Sequence, residues 1–349
     1  MKREMEKQNT KKWMGLAFFV LVSGVSGLSW GMTPTPPMMS VQVSPQSAIT
    51  GLGAETQEGL GVNLSTRYGS RSDLQSGKTK VSNPNNEETR TRQTTLLMDY
   101  RVMDKLTAIL AIPHIDHEAS YSNVKQSTQG LGDIVLYGKY SLHRDQMADS
   151  SREVMALVGV EFPSGSTDEG DASGTFPASQ QLGSDSTDFI VGSAVVWGGP
   201  ILTTYGDFSY KINGDKPYSF GNFFSLNSGI NYAIPQQPNL SLVGELNVEV
   251  AVQDKSDLAG PGVLLSGKVR DTGYKKVFVS PGFQYRPSEN WTVSLGVQAP
   301  VMQDLRGTQL ASEISYSVGV STRFGGSMAM KGKYRFCHHS VISVIPACF

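Results

Sequence analysis

Cysteine is nearly absent from this chain: Cys337 and Cys348 are the only two, and both fall near its far end. No disulfide framework can staple the body of the fold, which leaves a small terminal disulfide loop or two free thiols as the alternatives. Histidine is scarce as well, with 5 in 349 residues, so there is little material for acid–base catalysis or metal ligation. Charge of neither sign is in excess, 30 Lys and Arg standing against 31 Asp and Glu, and the basic footprint of a nucleic-acid binder is missing. Long apolar runs are lacking too. With a mean hydropathy of -0.22 and a single such run near the start, a bundle of membrane-crossing helices is excluded.

That single run, residues 13–28, follows Lys2, Arg3, Lys7, Lys11 and Lys12 and precedes the small residues Ser29 and Gly31. This is the layout of a secretory signal, expected over residues 1–31. As a membrane anchor the run is too short against the roughly 20 residues a span needs, and Ser23, Gly24, Ser26 and Gly27 dilute it. Residues 32–58, opening on Thr33-Pro34-Thr35-Pro36-Pro37, read as an extended periplasmic leader, long enough to fold back as a plug.

What the chain has in abundance is alternation. In the stretch 130–142, Ile134, Leu136, Tyr140 and Leu142 point one way, while Asp133, Tyr137, Lys139 and Ser141 point the other, the period of a β-strand. About a dozen such segments follow one another, at 60–68, 92–101, 106–113, 130–142, 152–162, 187–197, 200–211, 222–233, 239–250, 275–286, 291–300 and 313–324. Each is near the ten residues of a tilted bilayer-crossing strand, and an even number suits a closed barrel. Short turns follow every second strand, including a Gly198-Gly199 hairpin of the kind that tolerates positive φ. Long polar segments follow the others. A soluble sandwich has no reason to gather its long loops at one end, whereas an outer-membrane barrel with short periplasmic turns and long outer loops does.

Two further patterns agree. Pro113, Pro163 and Pro300 fall at the expected outer ends of strands, where a missing ladder donor is tolerated, and Pro281, inside the tenth strand, calls for a bulge. On the apolar faces Tyr100, Tyr140, Trp197, Tyr232, Tyr285, Trp291 and Phe324 fall at the inner ends, as an aromatic girdle does. Leu136 and Val158 belong to the lipid face, and Tyr137 and Leu157 to the lumen, where Leu157 is an apolar exception.

The wet faces supply the candidate lumen-lining residues. Asp133, Glu161, Asp188 and Glu249 gather toward the outer mouth, and Arg101, Lys139, Arg286 and Arg323 toward the periplasmic one; Glu245 also faces inward. Arg67 and Lys211 at the outer end and Asp99 at the inner end break this axial gradient of charge, and the alternative is a network of charges paired across the lumen. No catalytic motif, cofactor or metal is expected. His114, Asp116 and His117 lack a further ligand, as do Cys337, His338 and His339, and the acidic loop Asp168, Glu169 and Asp171 lacks the spacing of a calcium loop.

Fragments along these strands carry a resemblance. They are Ile112-Pro113; Gly130-Leu131-Gly132-Asp133 leading into Tyr137-Gly138-Lys139-Tyr140; Leu182-Gly183-Ser184 with Thr187-Asp188-Phe189; Gly244-Glu245-Leu246-Asn247; Ser280 to Tyr285; and Gln298-Ala299-Pro300-Val301. In this order they resemble the outer-membrane proteins named for the MetA pathway of phenol degradation. The resemblance implies an outer-membrane β-barrel passing small hydrophobic or aromatic compounds, and carries over no catalytic residue. The expectation is thus an all-β protein, a closed antiparallel transmembrane barrel of about twelve strands over residues 59–324, with residues 325–349 as an appendix. Its expected role is an outer-membrane channel or transporter whose partners are outer-membrane lipid, a small-molecule solute and the barrel-assembly machinery, with no nucleic acid. The alternative is a non-conducting barrel that acts through its outer loops.

Overall fold

A computed structural model describes residues 59–325, apart from 123, 148, 149, 173, 258–262, 265 and 289. The expected signal segment, the leader and all of the appendix beyond Gly325, with Cys337, His338, His339 and Cys348, lie outside the described residues. Twelve long strands make the body: β1 (Leu60–Arg71), β2 (Glu88–Met103), β3 (Leu106–Tyr121), β4 (Ile134–Gln146), β5 (Ser151–Phe162), β6 (Asp188–Gly198), β7 (Leu202–Ile212), β8 (Phe223–Ile234), β9 (Gln237–Ala251), β10 (Tyr274–Ser288), β11 (Trp291–Leu310) and β12 (Ser315–Phe324). Each pairs antiparallel with its neighbours in sequence, and β12 closes onto β1 with Phe324 opposite Leu60. Each of the twelve long strands is thus paired on both sides, so the barrel can satisfy its backbone inside a membrane.

Alternation decides which residues face out. On β5, Glu153, Met155, Leu157 and Glu161 are buried while Val158 is 60% exposed. On β4, Val135, Tyr137, Lys139 and Ser141 are buried while Leu136, Tyr140 and Leu142 stand outside. The outer wall is a belt of exposed Leu, Val, Ile, Phe and Tyr, the reverse of a water-soluble surface. All seven aromatics of the inner girdle are exposed, and the Arg152 guanidinium sits 4.3 Å over the Trp197 ring there. Tyr68, Phe162, Phe189 and Tyr316 are exposed near the opposite ends of their strands, a second girdle the sequence reading did not separate.

The strands depart from expectation at their outer ends, because pairing continues beyond the apolar belt. β3 runs on past Pro113 to Tyr121, and at that proline it changes neighbour: Leu106 to Ala111 pair with β4, while His114 to Tyr121 pair with a returning strand, Val124–Leu131. β11 likewise continues through Pro300 to Leu310 and pairs there with the short strand Leu74–Gly77. The segment after β11 is therefore only 311–314. Pro163 alone of the three prolines lies just past a strand end. The bulge expected at Pro281 is displaced: register shifts between Val277 and Phe278, opposite Pro300 to Met302, whereas Val279 to Ala299 and Gly282 to Gly296 keep one register across the proline. Neither Gly198 nor Gly199 takes a positive φ; that turn closes through a Gly199 N–H to Leu202 carbonyl bond of 2.9 Å.

Candidate functional site

The functional surface of such a fold is its interior, which comes in two chemically different halves. From β2 to β7 the inward residues at mid-height are apolar. Leu97, Ile109, Ala111, Val135, Tyr137 and Ile190 pack as one cluster, and Met155, Leu157, Ala194, Val196 and Tyr205 as a second. Leu157 is thus a member of an apolar wall rather than an isolated exception. From β7 to β10 a polar chain runs around the wall, beside the inward Val243 and Phe278 and below an apolar cluster of Phe223, Tyr274, Leu305 and Ala311. Asn227 Nδ2 donates to Asp207 Oδ2 at 2.8 Å, Asn247 Nδ2 to Asn227 Oδ1 at 3.0 Å, and Ser280 Oγ to Asn247 Oδ1 at 2.7 Å. Asn63, Ser65, Ser294, Gln298 and Ser315 continue the polar surface through β11, β12 and β1. Tyr205 joins the halves by donating its hydroxyl to Glu245 Oε1.

At the outer mouth the acidic candidates meet a cation. Lys211 Nζ lies 3.0 Å from Glu161 Oε1 and 3.2 Å from Asp188 Oδ2, with both carboxylates fully buried. Two carboxylates around one ammonium at such burial are held by geometry, since losing the cation strands both charges. The long segment after β5 folds against them. Asp133 accepts from the Gly165 N–H at 2.9 Å and the Ser184 N–H at 2.7 Å, and Asp188 Oδ1 from Ser186 Oγ at 2.6 Å and the Gly214 N–H at 2.9 Å. Burial lifts the Asp133 carboxyl above its ordinary range, against the pull of those N–H groups and of Lys211. The close approach of Gly165 and Gly183 depends on glycine, because a Cβ added at Gly183 would run into the Gly165 carbonyl oxygen. Across the mouth, Glu249 lies opposite Lys276 in register, Lys276 Nζ donates to Ser312 Oγ at 2.8 Å, and Arg67 reaches Ser315 Oγ at 3.3 Å.

The inner mouth is paired in the same way. Arg323 Nη2 lies 2.7 Å from Asp99 Oδ2, and Arg144 Nη2 2.7 Å from Glu153 Oε1. Lys139 is buried between these pairs, Arg101 reaches Asp104 at 3.6 Å, and Arg286 is exposed at the inner end of β10. Both ends therefore carry both signs, and paired networks replace the axial gradient. Glu153 and Asp207 were missed as interior residues, although each sits four places from a recognised one on the same face, Glu153 with Leu157 and Asp207 with Lys211. The His114, Asp116 and His117 group is split by strand alternation: Asp116 turns out to Arg92 at 2.7 Å, and His117 turns in. Among the described residues no three His, Cys, Asp or Glu side chains are grouped to hold a metal.

Comparison with known proteins places this architecture. The model of the family described as "Putative MetA-pathway of phenol degradation" matches residues 85–318. An outer membrane channel from Pseudomonas putida F1 is similar in structure, with a TM-score of 0.59 at 14% identity, covering 77% of this chain and 97% of that one. The translocator domain of the autotransporter NalP from Neisseria meningitidis gives a TM-score of 0.44 at 14% identity over 81% of this chain and 95% of that one. No curated protein matches the sequence.

Proposed function

This chain belongs to the family named for the MetA pathway of phenol degradation, and from that premise we propose that it is a bacterial outer-membrane channel or transporter for small molecules of apolar or aromatic character. The observation that carries the reading is the divided interior. A closed barrel with an apolar belt outside already accounts for membrane residence. An interior that is apolar along β2 to β7 and hydrogen-bonded along β7 to β10 supports more than residence, because an apolar ring can slide on one wall while any polar substituent exchanges bonds with the other. A water-filled porin has no use for the first wall, and a scaffold acting through its loops has no use for either. Export through residues 1–31 delivers such a barrel to its membrane.

Purified full-length protein in liposomes tests the reading. Vesicles carrying it should admit small solutes faster than protein-free vesicles, in proportion to protein per vesicle. Permeation equal to that of empty vesicles leaves the scaffold reading in its place.

A further inference from the structure

Three buried polar atoms of the outer mouth have no partner among the described residues. They are His117 Nε2, Ser179 Oγ and Gln180 Oε1, on residues 4%, 3% and 7% exposed. Buried polar atoms in native proteins are nearly always bonded to protein, water or ligand, so three together mark a site. They share one place in the fold. His117 on β3 pairs in register with Thr128 on the returning strand, and the Thr128 hydroxyl donates to the Gln180 carbonyl at 3.0 Å. That bond brings the single turn Ala178–Gln180 against the inward face beside the histidine. The ring is fixed from its other side: His117 Nδ1 lies 2.8 Å from Thr91 Oγ1, which leaves Nε2, at the tip of the ring, free of the sheet.

The surroundings fix the kind of ligand. Ile115, two residues before His117 on the same face, is 1% exposed, and Leu182, two residues after Gln180, is 2% exposed. Gly132 keeps this corner tight, since a Cβ there stands 2.8 Å from Ile115 Cδ1 and 3.4 Å from the Leu182 carbonyl oxygen. An apolar corner thus adjoins three uncharged polar groups, with the Arg71 guanidinium close enough to act on the His117 ring. A hydroxyl both donates and accepts, so it satisfies an imidazole nitrogen in either tautomer and a carboxamide in either orientation.

We propose that His117, Ser179 and Gln180 form a capture site at the outer mouth for the hydroxyl of a small molecule whose apolar frame rests on Ile115 and Leu182. The site rests on the channel reading for its purpose but not for its chemistry. It favours hydroxylated over plain hydrocarbon frames of the same size, because a site built for a hydroxyl leaves its own groups unbonded when the hydroxyl is missing.

The test is equilibrium binding to full-length protein in detergent micelles with its histidine rings isotopically labelled, titrated with phenol and with toluene, which differ by hydroxyl against methyl. Phenol should shift the His117 ring resonance saturably, identified by its disappearance in His117→Phe, and should bind about tenfold more tightly than toluene. Gln180→Met and Ser179→Ala, both on a loop outside the barrel wall, should each weaken phenol several-fold and leave toluene unchanged. Equal binding of the two probes, phenol binding unaltered in Gln180→Met, or a His117 ring that exchanges only with water, overturns the site. Binding of phenol by a protein whose vesicles pass no solute keeps the site and removes the channel; passage without this binding does the reverse.

Discussion

Strands β2 to β7 turn Leu97, Ile109, Val135, Met155, Leu157 and Val196 into the barrel, while β8 to β12 and β1 turn in Asn227, Asn247, Ser280, Ser294, Gln298 and Ser65. The outer faces of both halves are alike, with Val158 and Val195 exposed on one and Leu242 and Leu295 on the other. The strand period therefore tells which residues share a face, and the membrane fixes the outer face, but neither dictates the inner one. Where the inner face is polar its groups call for specific bonds, since a buried unbonded amide is costly; where it is apolar it needs only to be packed. The polar half carries its stability in specific bonds and the apolar half in contact area. The two should fail differently when altered.

The largest effect is expected where charge is buried deepest. Lys211→Met strands Glu161 and Asp188 and should cost about 3–5 kcal/mol, seen as a lowered unfolding temperature in detergent, with most of the loss recovered when Glu161→Gln and Asp188→Asn are added. Full stability in the single variant contradicts a buried Glu161–Lys211–Asp188 cluster. On the lipid face, Val158→Arg should cost about 2–4 kcal/mol and impair assembly. On the inner faces the halves part: Leu157→Asn in the apolar cluster should cost roughly 2–4 kcal/mol, whereas Ser225→Ala in the polar half should stay within about 1 kcal/mol. Equal costs remove the distinction.

A further effect lies in the outer loops. Asp254 accepts from the Gly221 N–H at 2.8 Å and the Tyr218 hydroxyl at 2.7 Å, and burial raises its carboxyl from 3.8 to about 6. The folded form binds this proton more tightly than the unfolded one. Its contribution is thus fully present below about pH 4 and is lost as pH rises through about 6, by roughly 3 kcal/mol. Hydrogen exchange of segments 213–222 and 252–273 should quicken over that range in the wild type, and Asp254→Asn should flatten the slope while keeping an acceptor for Gly221. An unchanged slope rejects the assignment. The polar chain itself gives less: Asn247→Leu removes the partner of Asn227 and Ser280 and should cost about 1–3 kcal/mol in chemical unfolding.

Much of this was legible in the residues, and what was not has physical reasons. Twelve alternating segments and their short inner turns could be read because one face of each meets lipid. Strand ends could not, since above the membrane pairing needs no apolar face; β3 and β11 therefore ran past Pro113 and Pro300 unnoticed. The inward charges were recognised one by one, but pairing is a property of neighbours around the wall: Asp99 and Arg323 are far apart in sequence and 2.7 Å apart in space. The proposed capture site was hidden for the same reason, because Thr128, the register partner of His117, meets Gln180 only through a folded loop. Alternation alone could have separated His114 from His117, three apart on a strand and so on opposite faces.

The divided interior is tested most directly by uptake of toluene into vesicles whose outer leaflet is lipopolysaccharide, carrying wild-type protein, Ala194→Phe or Ser225→Phe. The first substitution thickens the apolar wall, where Ala194 packs among Met155, Leu157, Val196 and Tyr205, and the second thickens the polar wall. Wild-type uptake should saturate above that of empty vesicles, and Ala194→Phe should lower it about tenfold while Ser225→Phe lowers it much less. Uptake at the level of empty vesicles, or an equal loss from both substitutions, contradicts the account.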